Sequence, residues 1–340
     1  MEWDELVARY RALGGTAENV RLGTGPLGRG IFVVDPSRPA RLHSPENLLV
    51  PVEAIEIDGG RSMSVKPGAV GDAEREFFEL YQAHFGWSAG GYQEAFEIQR
   101  SWSELPREIV AFIQAMGVLD HPDERFLPPG DENSFAQFVR ARDFTIRDRL
   151  YVVPMIDLVN HSTLVQPYVI GDSVAVGVEG TFANEMLVRY NLCDSLSFML
   201  IYGFPDRSIF AYSIGITIDL PGGRKLVVKR NQMEVEVRDG VLFPRCYDLG
   251  NVIELRNMML GFKGGVDLPR AVFRKTLAPY ISAQQADEIF EGVRNFNNER
   301  LISFLRVLQG YDGPLVRALR LTAINQLEAL AACMGARNLP

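Results

Sequence analysis

The densest group of chemistry-bearing side chains lies where the apolar run Val153-Pro154-Met155-Ile156 gives way to Asp157-Leu158-Val159-Asn160-His161-Ser162. Asp, Asn and His so close together supply a carboxylate, an amide that both donates and accepts, and an imidazole that titrates near neutrality. Such a set suits a polar ligand. The same residues would also serve a plain turn, with Asp157 and Asn160 as caps and His161 settled in the core. A metal site is disfavoured, because His43, His84 and His121 have no i,i+4 partner or carboxylate arrangement of the zinc type. A Ser-His-Asp hydrolase is set aside as well, on the expectation that the chain has no Gly-x-Ser-x-Gly elbow to expose a serine.

Downstream stand two tyrosines, Tyr190 after Glu185-Met186-Leu187-Val188-Arg189, and Tyr202 at the head of Tyr202-Gly203-Phe204. A tyrosine in apolar surroundings is usually a core residue whose hydroxyl finds one partner, so either alone says little. Upstream, Gly23, Gly25 and Gly28 spell Gly-x-Gly-x-x-Gly. A dinucleotide-binding turn needs a helix to begin at those glycines, whereas Ile31-Phe32-Val33-Val34 follows and Pro26 interrupts. A glycine-rich strand entry, Gly28-Arg29-Gly30, is the better reading, since missing side chains let a ligand or another backbone approach.

These residues must be positioned by elements of alternating texture. Trp3, Leu6, Val7, Tyr10 and Leu13 predict a short helix stopped by Gly14-Gly15, and 20–57 reads as short strands and turns. Residues 72–146 read as helical, with Asp72 as a cap and a second helix opened by Pro106 and closed by Gly117. Strands return over 150–188 and continue as hairpins through 207–243, and residues from about 250 to 340 read as helical, with Ser282 and Gln285 as a capping box. The order is β, helical insert, β, helical tail, an α+β pattern.

Composition bounds the function. The chain has 340 residues, 47% of them hydrophobic and 23% charged, with a formal charge of −8, which fits a globular protein of more than one compact part. The acidic balance argues against nucleic-acid partners, there being no basic stripe to release counterions. No run reaches membrane-span length, and the acidic, amphipathic start does not read as a secretory signal. Three scattered cysteines, Cys193, Cys246 and Cys333, suggest neither a disulfide framework nor a cysteine zinc site, so a cytoplasmic location is expected.

Taken in order, Gly28-Arg29-Gly30-Ile31-Phe32, Arg140-Ala141-Arg142-Asp143-Phe144, Asp157-Leu158-Val159-Asn160-His161-Ser162, Tyr190 and Tyr202-Gly203-Phe204 resemble the successive motifs of SET-domain protein methyltransferases of the Rubisco large-subunit methyltransferase-like group. The resemblance implies a β-rich SET domain over 1–245 with a helical insert at about 68–135, followed by an all-helical substrate-binding domain over 246–340. It further implies S-adenosyl-L-methionine as cofactor, held by Leu27, Gly28, Arg29, Arg142, Asp157, Asn160 and His161. Tyr190 and Tyr202 would be the catalytic tyrosines, and Tyr168 and Arg142 would meet a lysine-bearing protein substrate. Histidine as acceptor, and a catalytically silent SET-fold binding protein, are the alternatives. One departure stands out: where the family has Gly-Glu-Glu ahead of its tyrosine, this chain has Ala183-Asn184-Glu185.

Overall fold

The computed structural model describes residues 1–59, 62–119, 122–171, 174–230, 236–238, 241–262 and 265–331; His121 and Cys333 lie outside them. The chain forms two compact units, one of residues 1–100 and 127–191, the other of residues 101–126 and 192–340. The helical insert is therefore divided, its middle portion belonging to the second unit.

In the first unit the helix Trp3–Ala12 buries Leu6, Val7 and Tyr10 against a four-stranded antiparallel sheet. That sheet has the order Thr16–Glu18, Ala40–Ser44, Val174–Gly180, Val169–Gly171, joining the two β segments of the sequence across the insert. The Tyr10 hydroxyl is anchored on the His43 carbonyl at 2.7 Å, which fixes the helix to the sheet. The glycine-rich motif forms a hairpin, Val20–Gly25 with Gly28–Val33, whose turn is closed by a Gly25–Gly28 pair. No helix starts there, as the β-branched residues after Gly30 predict. Asp72 is the first residue of the helix Asp72–His84 and Gly71 its N-cap, one residue earlier than expected. Phe77, Phe78 and Tyr81 on that helix are buried, Phe77 and Tyr81 in the main core and Phe78 in a second cluster with Trp87, Phe138 and Val152.

The second unit carries a four-stranded sheet ordered Ile216–Asp219, Lys225–Lys229, Val252–Arg256, Arg245–Asp248, with its two central strands parallel. The helical region expected from residue 246 begins instead at Asp267, because 252–262 is strand. Val252-Ile253-Glu254-Leu255-Arg256 alternates about Ile253 and Leu255, both buried, as a central strand requires. The helices Asp267–Leu277, Ala283–Gln309 and Pro314–Ala331 follow, and the capping box of Ser282 and Gln285 opens the longest.

A buried polar knot ties this unit together. The Arg230 guanidinium donates to both carboxylate oxygens of Asp194, at 3.0 and 2.8 Å, and to the Tyr212 carbonyl at 2.6 Å. Gln326, from the last helix, donates to the same carboxylate at 2.7 Å, and the Ser197 N–H at 3.0 Å caps the short helix Ser195–Ser197. Both oxygens of this buried carboxylate are thereby matched, and its partners fix the start of the turn that ends at Tyr202. Among the described residues no helix is long and apolar enough to cross a membrane.

Candidate cofactor and acceptor site

The first unit gathers most of the sequence-predicted residues around one short strand. Met155 adopts a left-handed φ of +69° and the turn Ile156–Leu158 follows, turning the chain sharply into the strand Asn160–His161. That strand pairs in parallel with Leu187–Val188, and the Ser162 N–H reaches the Val188 carbonyl at 3.0 Å. The two pieces of sequence carrying Asn160 and Tyr190 are thereby placed side by side.

His161 is buried, and its ring is used by the protein. The Tyr190 N–H donates to Nδ1 at 3.1 Å, so in the neutral ring Nε2 carries the hydrogen and donates to Thr163 Oγ1, also 3.1 Å away. His161 thus positions Tyr190, and what it can offer a ligand is backbone. The Tyr190 hydroxyl donates to the Val159 carbonyl at 2.6 Å, next to Asn160, so the tyrosine faces inward. Burial raises its pKa well above the ordinary phenol value, so it stays protonated at neutral pH. Tyr168 stacks on it with centroids 6.2 Å apart and rings 11° from parallel, and Phe144 meets Tyr168 edge-on at 4.9 Å.

Asn160 closes on the hairpin. Its amide nitrogen donates to the Arg29 carbonyl at 3.2 Å and to Glu185 Oε1 at 2.7 Å. Glu185 is held through its two neighbours: the Met186 N–H donates to the Ile31 carbonyl and the Val33 N–H to the Asn184 carbonyl, both at 2.8 Å. Nearby, Gly28 has a φ of +92° and open space where a Cβ would stand, and Leu27, at the turn, is 55% exposed.

Asp157 lies deeper, accepting a short hydrogen bond from the Tyr81 hydroxyl. Burial raises its carboxyl to about 6, opposed by that hydrogen bond and by the positive charges of Arg142 and Arg29. The positive charges of the same two guanidiniums bear on Tyr81 and oppose the rise in its pKa that burial causes. Arg142 lies over the Phe138 ring, 4.2 Å from its centroid, and its nearest polar partners, the Phe138 carbonyl and Glu94, stand only at 3.5 Å. Among the described residues the Arg29 guanidinium has no hydrogen-bonded partner.

These donors fit S-adenosylmethionine. Loosely held guanidiniums at Arg29 and Arg142 suit its carboxylate, and the carbonyl oxygen of the Asn160 amide suits its ammonium. The bare backbone at Gly28 leaves room beside them. Sequence reasoning missed Glu185, which it took only as part of a departure from a motif, and it gave no role to Tyr81. Tyr202 belongs to the second unit, at the end of a π-helical turn, Phe198–Tyr202, closed by Gly203 in the left-handed region, and it packs on Phe198 and Phe204. π-Helical turns recur at functional sites.

One motif was overlooked. Gly86-Trp87-Ser88-Ala89-Gly90 has the Gly-x-Ser-x-Gly spacing of a nucleophile elbow. It follows the helix Asp72–His84 and forms the π-helical turn Trp87–Gly91, with no strand leading into it, so the strand-to-helix elbow is not formed.

No protein-family model matches the chain, and no curated protein matches it. Among solved structures, the chain is similar to the SET domain of LSMT bound to lysine and AdoHcy, at 15% identity, covering 98% of this chain and 90% of that one with a TM-score of 0.44. It is also similar to Rubisco LSMT bound to sinefungin and monomethyllysine, at 14% identity, covering 96% and 89% with a TM-score of 0.42.

Proposed function

We propose that the chain transfers a methyl group from S-adenosyl-L-methionine to a side chain of another protein, with lysine as the acceptor. The observation that carries this reading is convergence. Arg29, Arg142, Asn160, Tyr168 and Tyr190 come from four separate stretches of sequence and meet around the strand Asn160–His161. Arg29, Arg142, Asn160 and Tyr190 lie in motifs of the resemblance, and Tyr168 was expected from it as a substrate contact.

When bound, the cofactor supplies an electrophilic methyl group on a sulfonium. The chain's part is alignment and exclusion of water, because a displacement at carbon needs nucleophile and methyl in line. Tyr190, kept neutral by burial and steered by the Val159 carbonyl, serves as a hydrogen-bonding hydroxyl and not as a base. The stacked pair Tyr168 and Tyr190 provides an aromatic wall, and an amine entering beside it is desolvated, which favours its uncharged, nucleophilic form. From motif order alone, Tyr202 is proposed as the second catalytic tyrosine, and the helices from Asp267 onward as the part that receives the protein substrate, in a cytoplasmic setting.

Titration calorimetry with S-adenosylmethionine and S-adenosylhomocysteine, on the wild-type chain and on Asn160→Ala, tests the reading. Micromolar binding by the wild type, lost or much weakened in the variant, supports it. Absence of binding by a folded wild-type chain overturns it.

A further inference from the structure

We infer that Glu185 is a positioning residue: it locks the Asn160 amide with its oxygen toward the ligand, so that this corner of the site accepts a hydrogen-bond donor, the α-ammonium of the cofactor. The inference rests on the cofactor reading above. An amide nitrogen has two hydrogens, and both are drawn by acceptors, Glu185 Oε1 at 2.7 Å and the Arg29 carbonyl at 3.2 Å. The flipped amide would set Oδ1 against a carboxylate and a carbonyl, lone pair to lone pair, so the partners themselves decide the orientation. Among the described residues nothing donates to Oδ1, which is left as the amide's offer to a ligand.

Gly30 shows how closely the pair is seated. A Cβ at that position would stand 2.5 Å from the Asn160 amide nitrogen and 2.7 Å from Glu185 Oε1. The carboxylate and amide therefore lie on bare backbone, and the strand-like bridge of Glu185 to Phe32 fixes the main chain from which the carboxylate reaches Asn160.

The test compares S-adenosylhomocysteine with its deamino analogue, by calorimetry, on the wild-type chain, Glu185→Ala and Glu185→Gln, with thermal melting to confirm that each is folded. Glutamine retains an oxygen that can hold the Asn160 amide, and alanine does not. The wild type is expected to prefer the amine-bearing ligand, Glu185→Ala to lose about tenfold in that preference, and Glu185→Gln to recover most of it. The deamino analogue is expected to bind all three alike. An undiminished preference in Glu185→Ala overturns the inference while leaving the cofactor reading standing. So does an equal loss in both variants, which would mean that charge and not orientation is at work. Failure of the wild type to bind either ligand overturns the cofactor reading, and this inference with it.

Discussion

Replacing Asp157 by Asn should stabilise the folded chain at alkaline pH and leave it unchanged in acid. Asp157 ionises at about 6 in the folded chain against an ordinary 3.8, burial being the main cause. Below pH 3.8 the carboxyl is protonated in both states and the replacement does nothing. As pH rises from 3.8 to about 6 the unfolded chain releases the proton while the folded chain retains it, so wild-type stability falls across this window. Above it the full penalty is in place, roughly 3 kcal/mol at 1.36 kcal/mol per pH unit, reduced to ~1–2 kcal/mol because the residue keeps part of its exposure to water. Asn preserves an oxygen for the Tyr81 hydroxyl, so the hydrogen bond survives. Asp143, also raised to about 6 by burial, bends the wild-type curve in the same sense, and the informative quantity is the difference between variant and wild type. Urea unfolding at pH 4, 6 and 8 measures it. A difference that is flat with pH, or a variant less stable at pH 8, would refute the assignment of a desolvated carboxyl at this position.

Gly30→Ala forces the Asn160 amide and the Glu185 carboxylate apart and should lower stability by about 1–3 kcal/mol, read in melting, with weaker cofactor binding in calorimetry. Tyr190→Phe leaves the Val159 carbonyl without its donor and should lower stability by about 1–2 kcal/mol in urea unfolding. Arg230→Met strands the Asp194 carboxylate in the interior and should lower stability by about 3–5 kcal/mol in the same assay, more than any variant of the first unit named here. The Cys193 thiol, buried and with its pKa raised by that burial, should stay inert to a thiol reagent at pH 8 in the folded chain and react once unfolded.

Local signals were legible where one stretch carries the whole reason. The glycines at 23, 25 and 28 followed by Ile31-Phe32-Val33 read as a strand entry and not as a helix start, and Gly28–Val33 is a strand, paired with Val20–Gly25. Ser282 and Gln285 read as a capping box, and both halves of it are made. Asn160 and Tyr190 were picked from motif order, and Asn160–His161 pairs in parallel with Leu187–Val188, two residues before Tyr190. What escaped was long-range or ambiguous in period. Glu185 meets Asn160 across 25 residues, and Tyr81 meets Asp157 across 76, so no window of sequence contains either contact. The knot of Arg230 with Asp194 spans 36 residues and reads locally as two ordinary charges. The strands Val252–Arg256 and Met259–Phe262 were absorbed into the helices after them, because segments of five and four residues beside strong helical periodicity have too few repeats to declare their own period.

The most direct test of the central claim is transfer of labelled methyl from S-adenosylmethionine into a protein lysate, by the wild-type chain and by Tyr190→Phe, followed by hydrolysis of the labelled protein to its amino acids. The account predicts label in methyllysine with the wild type and a loss of at least about a hundredfold in the variant. A wild-type chain that binds the cofactor yet labels no protein would contradict it and leave a binding protein, and label recovered as methylhistidine would contradict the assignment of lysine.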